Sequence, residues 1–223
     1  MTWVVVPAAG SGRRFGRALP KQYAIIDGRP LLWWTLARLA AVPPVTGLLV
    51  VLAPGDPRWP GWAGFAGKPV LTAPGGSERA DSVLAGLRAL PKAVADTDLV
   101  LVHDAARPCV RGEDIVRLLA ECGTCGGLLA TPVRDTLKRA VDGVVADTVD
   151  RRDLWRALTP QCFRRGELIA ALEAARAAGR NPTDEAQAIE WSGGRPRLVE
   201  GAEDNLKVTT ERDLALAAWI LKG

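Results

Sequence analysis

The sequence predicts an α/β fold: a doubly wound, mostly parallel, Rossmann-like sheet with a protruding β-arm. Three observations predict it. Short apolar runs alternate with segments of helical spacing along most of the chain. The first apolar run leads straight into a glycine-rich loop. One segment, residues 133–152, breaks the rhythm with an Asp-Gly turn between short β-prone stretches.

Trp3-Val4-Val5-Val6 reads as a buried strand, and Leu31 to Ala40 as the helix that follows. Gly47 to Leu52 is a second strand and Val70-Leu71-Thr72 a third. Arg79 to Leu90 carries apolar residues at Val83, Leu84, Leu87 and Leu90, which is helical spacing. Asp98 to His103 is a strand, Ile115 to Glu121 a helix, and Gly127 to Ala130 a further strand. Val141-Asp142-Gly143-Val144-Val145 carries the hairpin signature of the arm. A helix over Gly166 to Ala178 stops at Gly179, and Thr210 with Asp213 forms a capping box for the last helix. The whole, residues 1–223, reads as a single domain with 133–152 as its arm.

Composition limits the function. A net charge of +4 is too small an excess to argue for nucleic acid, and suits a pocket for a phosphorylated ligand. The run Leu214 to Leu221 is far too short to span a bilayer. Met1 to Pro7 lacks the basic residues and apolar core of a signal peptide, so a cytoplasmic protein with no membrane partner is expected. Cys122 and Cys125 form a C-x-x-C, but with His103 as the only histidine a structural zinc lacks ligands, and reduced thiols are expected. Trp33, Trp34 and Trp219 are expected in the core.

The loop after the first strand is Pro7-Ala8-Ala9-Gly10-Ser11-Gly12-Arg13-Arg14-Phe15-Gly16. Such a loop lets backbone N–H groups approach phosphate oxygens. It is not a Walker loop, since no Lys follows Gly16, and Phe15 stands where a dinucleotide loop needs Gly. It carries Arg13 and Arg14 instead, with Lys21 close behind, cations able to neutralise charge on a triphosphate during transfer. Asp104 closes an apolar strand, where such sheets present ligand-binding residues, and is a hard oxygen ligand for Mg²⁺. His103 beside it reads as a structural residue rather than a base. Gly75-Gly76 precedes a helix opening at Ser77, a second set of N–H groups.

Pro7-Ala8-Ala9-Gly10-x-Gly12-x-Arg14 followed by Pro20-Lys21-Gln22-Tyr23 resembles the signature of the methylerythritol phosphate cytidylyltransferases. Further matches follow in order: Gly75-Gly76-x-Glu78-Arg79-x-Asp81-Ser82-Val83, His103 to Pro108, Pro132-Val133-Arg134-Asp135-Thr136-x-Lys138 and Asp150-Arg151. Leu158-Thr159-Pro160-Gln161, Thr183-Asp184-Glu185 and Asp204-Asn205-x-Lys207-Val208-Thr209 complete a set running roughly from residue 4 to 221. The resemblance implies a nucleotidyltransferase that joins CTP to 2-C-methyl-D-erythritol 4-phosphate with Mg²⁺ on Asp104. It implies catalytic roles for Arg14, Lys21, Arg151 and Lys207. Pro7, Ala8, Ala9, Gly10, Gly12, Gly76, Ser77, Ser82 and Ala105 would hold the nucleotide, and Arg107, Thr136, Arg151, Thr159 and Thr183 the acceptor. Ser77 stands at a position that is often acidic in the family, near the ribose.

No Ser/His/Asp or Cys/His set is evident, which argues against a covalent intermediate. The nearest rival is a ribitol 5-phosphate cytidylyltransferase, and the segment Pro132 to Lys138 with Arg151 favours methylerythritol phosphate. A nucleotide sensor without catalysis would be expected to lack Lys21, Asp104 or Lys207, and all three are present. A Rossmann oxidoreductase is disfavoured by Phe15 and the cationic loop. Val141, Val144, Val145 and Val149 on the arm would be poorly buried in a monomer, so a two-fold homodimer is expected. The resemblance adds that Thr136 and Arg151 serve the partner's site.

Overall fold

The computed structural model describes residues 1–10 and 19–222. The expected contributions of Gly12, Arg13 and Arg14 lie outside the described residues. The chain begins with β1 (Thr2–Pro7), the short strands β2 (Ile25–Ile26) and β3 (Arg29–Pro30), α1 (Leu31–Ala40) and β4 (Val45–Leu52). It continues through β5 (Gly64–Phe65), β6 (Lys68–Pro74), α2 (Arg79–Arg88), β7 (Leu99–Val102), α3 (Gly112–Glu121) and β8 (Gly127–Pro132). The arm is β9 (Leu137–Val141) with β10 (Val144–Val149). Then come β11 (Trp155–Arg164), α4 (Arg165–Ala177), α5 (Glu185–Trp191), β12 (Arg197–Glu200) and α6 (Glu211–Lys222).

Among the described residues the main sheet has eight strands in the order β12-β8-β11-β7-β1-β4-β6-β5. Strand alternation sorts its core into two layers. Val4 and Val6 of β1, with Leu48 and Val50 of β4, meet Leu36 and Leu39 of α1 and Ile115 and Leu118 of α3. Trp3 and Val5, with Leu49 and Val51, meet Val83 and Leu87 of α2 and Leu168 and Leu172 of α4. Helices therefore cover both faces, as continuous apolar strands require. A third cluster seats α6 through Ala217 against Leu31, Ala106 and Val208.

β1 pairs in parallel with β4 on one side and β7 on the other. The chain runs outward from β1 through β4 to β6, then returns to lay β7 on the opposite side. That reversal opens a crevice at the carboxyl ends of β1 and β7, the place where open α/β sheets bind ligands.

The sheet is mixed rather than uniformly parallel. β11, absent from the sequence reading, runs antiparallel between β7 and β8. Its pattern hides it: Pro160 stands mid-strand, and proline is excluded from regular central ladders. The β11–β8 register slips between Ala157 and Gln161, which accommodates the proline.

The arm forms as expected. Asp142 and Gly143 have φ of 49° and 79°, the positive values that a two-residue hairpin turn of the I′ type needs. Val141, Val144 and Val145 are exposed in the single chain. Trp219, expected in the core, is 74% exposed on α6. Trp33 and Trp34 are only partly buried, stacked edge to face at 5.1 Å. Cys122 turns into the core and lies 3.6 Å from Cys162, while Cys125 is exposed, so the C-x-x-C does not act as a pair. No described helix is long and apolar enough to cross a membrane.

Candidate active site

The crevice at the β1/β7 reversal is a cleft of about 440 Å³. Its walls come from three places. Pro7 ends β1 and Ala8, Ala9 and Gly10 follow it; Gly76, Ser77 and Ser82 follow β6; Asp104 and Ala105 follow β7. Lys21 and Lys207 also line it.

Short-range hydrogen bonds fix the two backbone loops. Ala8 N–H donates to the Val51 carbonyl and Gly75 N–H to that of Leu52, both at 2.7 Å, so both loops are tied to the end of β4. Gln22 Nε2 donates to the carbonyls of Ala8 and Gly10 at 2.8 and 3.1 Å, which fixes the path of the first loop. The loops touch at Gly75: a Cβ there would lie 2.6 Å from Ala9 Cβ and 2.9 Å from Ser82 Oγ. Only glycine allows this approach.

α2 opens at Arg79, where the helical spacing put it, two residues beyond Ser77. Glu78 is the N-cap of α2 and forms a reciprocal box with Asp81. Ser77 stays in the loop and donates to Asp81 Oδ2 at 2.9 Å. The buried Ser82 hydroxyl accepts from Gly76 N–H at 3.2 Å and donates to the Glu78 carbonyl at 3.1 Å. Ser82 therefore holds the shape of the Gly75-Gly76 turn from beneath.

Asp104 is the electrostatic centre. Its Oδ1 accepts from Arg79 Nε and Nη2 at 3.3 and 3.2 Å. Its Oδ2 meets Lys207 Nζ at 2.9 Å and Arg107 Nε at 3.4 Å. Burial pushes the Asp104 carboxyl up, but Arg79, then Lys207 and Arg107, outweigh it and hold the group well below the usual carboxylate range. Asp104 is thus an anion at neutral pH.

Behind Asp104 lies a buried, hydrogen-bonded shelf. Asp104 N–H donates to Thr159 Oγ1 at 3.1 Å. Thr159 Oγ1 in turn lies 3.1 Å from His103 Nδ1, and His103 Nε2 lies 3.0 Å from the Arg107 carbonyl. One proton arrangement satisfies all three contacts: His103 neutral with Nε2–H donating to the carbonyl, and the Thr159 hydroxyl donating to Nδ1. Burial lowers the His103 pKa to about 4, consistent with that form. The imidazole is fully buried and does not line the cleft, as expected of a structural residue.

Other expected residues distribute unevenly. Lys21 Nζ donates to the Val208 carbonyl at 3.1 Å, which links the first loop to the segment of Lys207. Arg107 is buried, and its Nη1 donates to the Asn205 carbonyl at 2.7 Å. Arg107 and Thr159, expected at the acceptor, both hydrogen-bond Asp104. Thr183 is exposed and outside the cleft lining; its N–H donates to Gln187 Oε1, and the cap of α5 is Asp184. Thr136 and Arg151, on the arm, are exposed and do not line the cleft of their own chain. Sequence reasoning gave no role to Arg79, Gln161 or Glu185. Gln161 ties β11 to α5, donating to Asp184 Oδ2 and accepting from Ala186 N–H. Arg79 and Glu185 each stand in a motif read from the sequence, but the 106 residues between them hide the pair.

The arrangement suits a polyphosphate: backbone loops on two sides, lysines at the rim, and one anionic carboxylate at the floor. Comparison with known proteins agrees. The family described as "IspD: 2-C-methyl-D-erythritol 4-phosphate cytidylyltransferase" matches residues 2–223. A 2-C-methyl-D-erythritol 4-phosphate cytidylyltransferase of Xanthomonas campestris pv. campestris is 59% identical over 217 residues, covering 96% of this chain and 82% of that one. The crystal structure of the Francisella tularensis 2-C-methyl-D-erythritol 4-phosphate cytidylyltransferase superposes with a TM-score of 0.82 at 31% identity, covering 98% of this chain and 99% of that one. A crystal structure of a 4-diphosphocytidyl-2C-methyl-D-erythritol synthase gives 0.83 at 36% identity, covering 99% and 98%. On this match in sequence, fold and cleft, the chain belongs to the 2-C-methyl-D-erythritol 4-phosphate cytidylyltransferase family.

Proposed function

We infer that the chain transfers the cytidylyl group of CTP to 2-C-methyl-D-erythritol 4-phosphate, releasing pyrophosphate. The observation that carries this reading is Asp104 at the carboxyl end of β7, anionic and paired with Lys207, on the floor of a cleft walled by the Ala8–Gly10 and Gly75–Gly76 loops. Family membership supplies the substrates.

The chemistry needs no base. The second pKa of a phosphate monoester is about 6, so the acceptor is largely a dianion at neutral pH and attacks directly. His103, neutral and buried, has no part in proton transfer. The chain's task is to bring two anions together and to stabilise charge at the α-phosphorus. Lys21 at the rim, with Arg14, is assigned to the α-phosphate oxygens. Lys207 and Arg151 are assigned to the acceptor phosphate. Pro7 to Gly10, Gly12, Gly76, Ser77, Ser82 and Ala105 seat the nucleotide.

The donor set fits Mg²⁺. Mg²⁺ is usually held by one or two carboxylates with substrate phosphates rather than by an all-protein cage. Among the described residues no cluster of three or more His, Cys, Asp or Glu forms such a cage; of the two carboxylates that line the cleft, Asp104 is the buried one, while Glu78 is engaged in the α2 capping box. When bound, the metal would neutralise triphosphate charge and polarise the α-phosphate.

The arm supports a homodimer with composite sites. Val141, Val144 and Val145 are exposed, an isolated hairpin is marginal in water, and Thr136 and Arg151 stand outside their own cleft. A two-fold partner would bury those valines and bring Thr136 and Arg151 to the neighbouring cleft.

A pyrophosphate-release assay tests the reading: CTP, Mg²⁺ and a panel of polyol phosphates that includes ribitol 5-phosphate. Turnover with methylerythritol phosphate well above the rest is expected; equal or greater turnover with ribitol 5-phosphate would replace the acceptor assignment.

A further inference from the structure

Arg79 is shared between two carboxylates, and the sharing is unequal. Its Nη1 and Nη2 reach Glu185 Oε1 and Oε2 at 2.6 and 3.1 Å, a bidentate fork. Its remaining edge meets Asp104 Oδ1 at the longer distances of 3.2 and 3.3 Å. Glu185 is 1% exposed, whereas Arg79 faces the cleft. Burial disfavours the Arg79 cation, and Glu185, ahead of Asp104, more than restores it.

A buried ion pair contributes little net stability over an apolar pair of similar volume. Stability therefore does not explain why Glu185 stands here. Charge at Asp104 does. Three cations, Arg79, Arg107 and Lys207, meet Asp104, and one of them, Arg79, also meets Glu185. Without Glu185, Asp104 would meet three cations alone, a setting that repels a divalent ion. With Glu185, the Arg79 charge is matched from behind. Lys207, whose side chain is 41% exposed, is then the cation placed to leave for an incoming phosphate.

We propose that Glu185 is a positioning residue for the reaction: by holding and neutralising Arg79 it keeps Asp104 able to accept a divalent cation. The proposal rests on the assignment of Asp104 as the metal ligand. Gln161 belongs to the same device, since it fastens the first turn of α5, and with it Glu185, to β11. Groups hydrogen-bonded to a metal ligand typically alter metal affinity by about 10–100-fold when changed, and Glu185 acts one contact further out, through Arg79.

The test uses the full chain and Mn²⁺ as the probe, read by water-proton relaxation in the presence of a non-hydrolysable CTP analogue, alongside the Mg²⁺ concentration giving half-maximal turnover. Glu185→Gln keeps size and hydrogen bonding but removes the charge. It is expected to weaken Mn²⁺ binding about tenfold and to raise the half-activating Mg²⁺ concentration similarly, with kcat at saturating Mg²⁺ little changed. The double variant Arg79→Gln/Glu185→Gln removes the cation and its counter-charge together and should return Mn²⁺ affinity to wild type or better. If Glu185→Gln fails to fold, the double variant, which leaves no unpaired charge at this pair, carries the test alone. A Glu185→Gln protein with unchanged Mn²⁺ and Mg²⁺ dependence, or a double variant at least tenfold weaker than wild type, overturns the proposal. Asp104→Asn is the control on the underlying assignment: if it leaves Mn²⁺ binding intact, the metal assignment itself fails, whatever Glu185 does.

Discussion

His103 allows a stringent prediction because it is the only histidine in the chain. The perturbation is acidification from about pH 7.5 to about pH 4.5, across the ordinary imidazole range. In the folded protein burial holds the pKa at about 4, against 6.5 for an ordinary imidazole. Below 6.5 the unfolded chain takes up a proton that the folded chain refuses, so stability falls as pH drops through the window from 6.5 to about 4. The full gap is worth about 3 kcal/mol. Two assays read it. The single imidazole resonance in the native protein should not move between about pH 7.5 and 5.5. Urea unfolding should show a stability loss in this window that His103→Gln lacks. An imidazole titrating near 6.5 in the native state would refute the buried, neutral assignment and reopen His103 as a base.

Lys21→Ala should lower kcat about 10²–10³-fold with little change in the CTP KM, as expected for a donor to a transition-state oxyanion; the opposite split in steady-state kinetics would make it a ground-state contact. Asp104→Asn should abolish Mg²⁺-supported turnover, and near-normal activity at ordinary Mg²⁺ would reduce Asp104 to a structural cap. Gly75→Ala should cost about 1–3 kcal/mol in thermal or urea unfolding and raise the CTP KM, since the new methyl meets Ala9 and Ser82; wild-type values for both would deny the close loop contact. Mixing Arg151→Ala with Lys21→Ala protein should restore up to about a quarter of the activity if the arm completes the partner's site, and none if it does not once exchange is demonstrated.

Most of the parallel strands were legible because they are apolar runs with both faces covered, and α1 spans the predicted Leu31–Ala40; β12, a four-residue parallel strand at the sheet edge with a single buried residue, was not. β11 was not legible, because Pro160 interrupts it and its polar residues serve the site rather than the core. Asp104 could be read from its place at a strand end. Its link to Glu185 could not: Arg79, the cation between the two carboxylates, and Glu185 are 106 residues apart, and only the packing of α2 against α4 and α5 against α4 brings them together. Trp219 illustrates the converse error, since an aromatic residue at helical spacing says nothing about which side of α6 finds a partner.

The reaction is tested most directly by labelling the acceptor. Methylerythritol phosphate carrying ¹⁸O in its phosphate is incubated with CTP, Mg²⁺ and the protein, and the products are read by ³¹P NMR. Direct attack at the α-phosphorus predicts a cytidine diphosphate ester that retains all the label, with unlabelled pyrophosphate. Label in the pyrophosphate, or CMP in place of the diphosphate ester, would contradict cytidylyl transfer at this cleft.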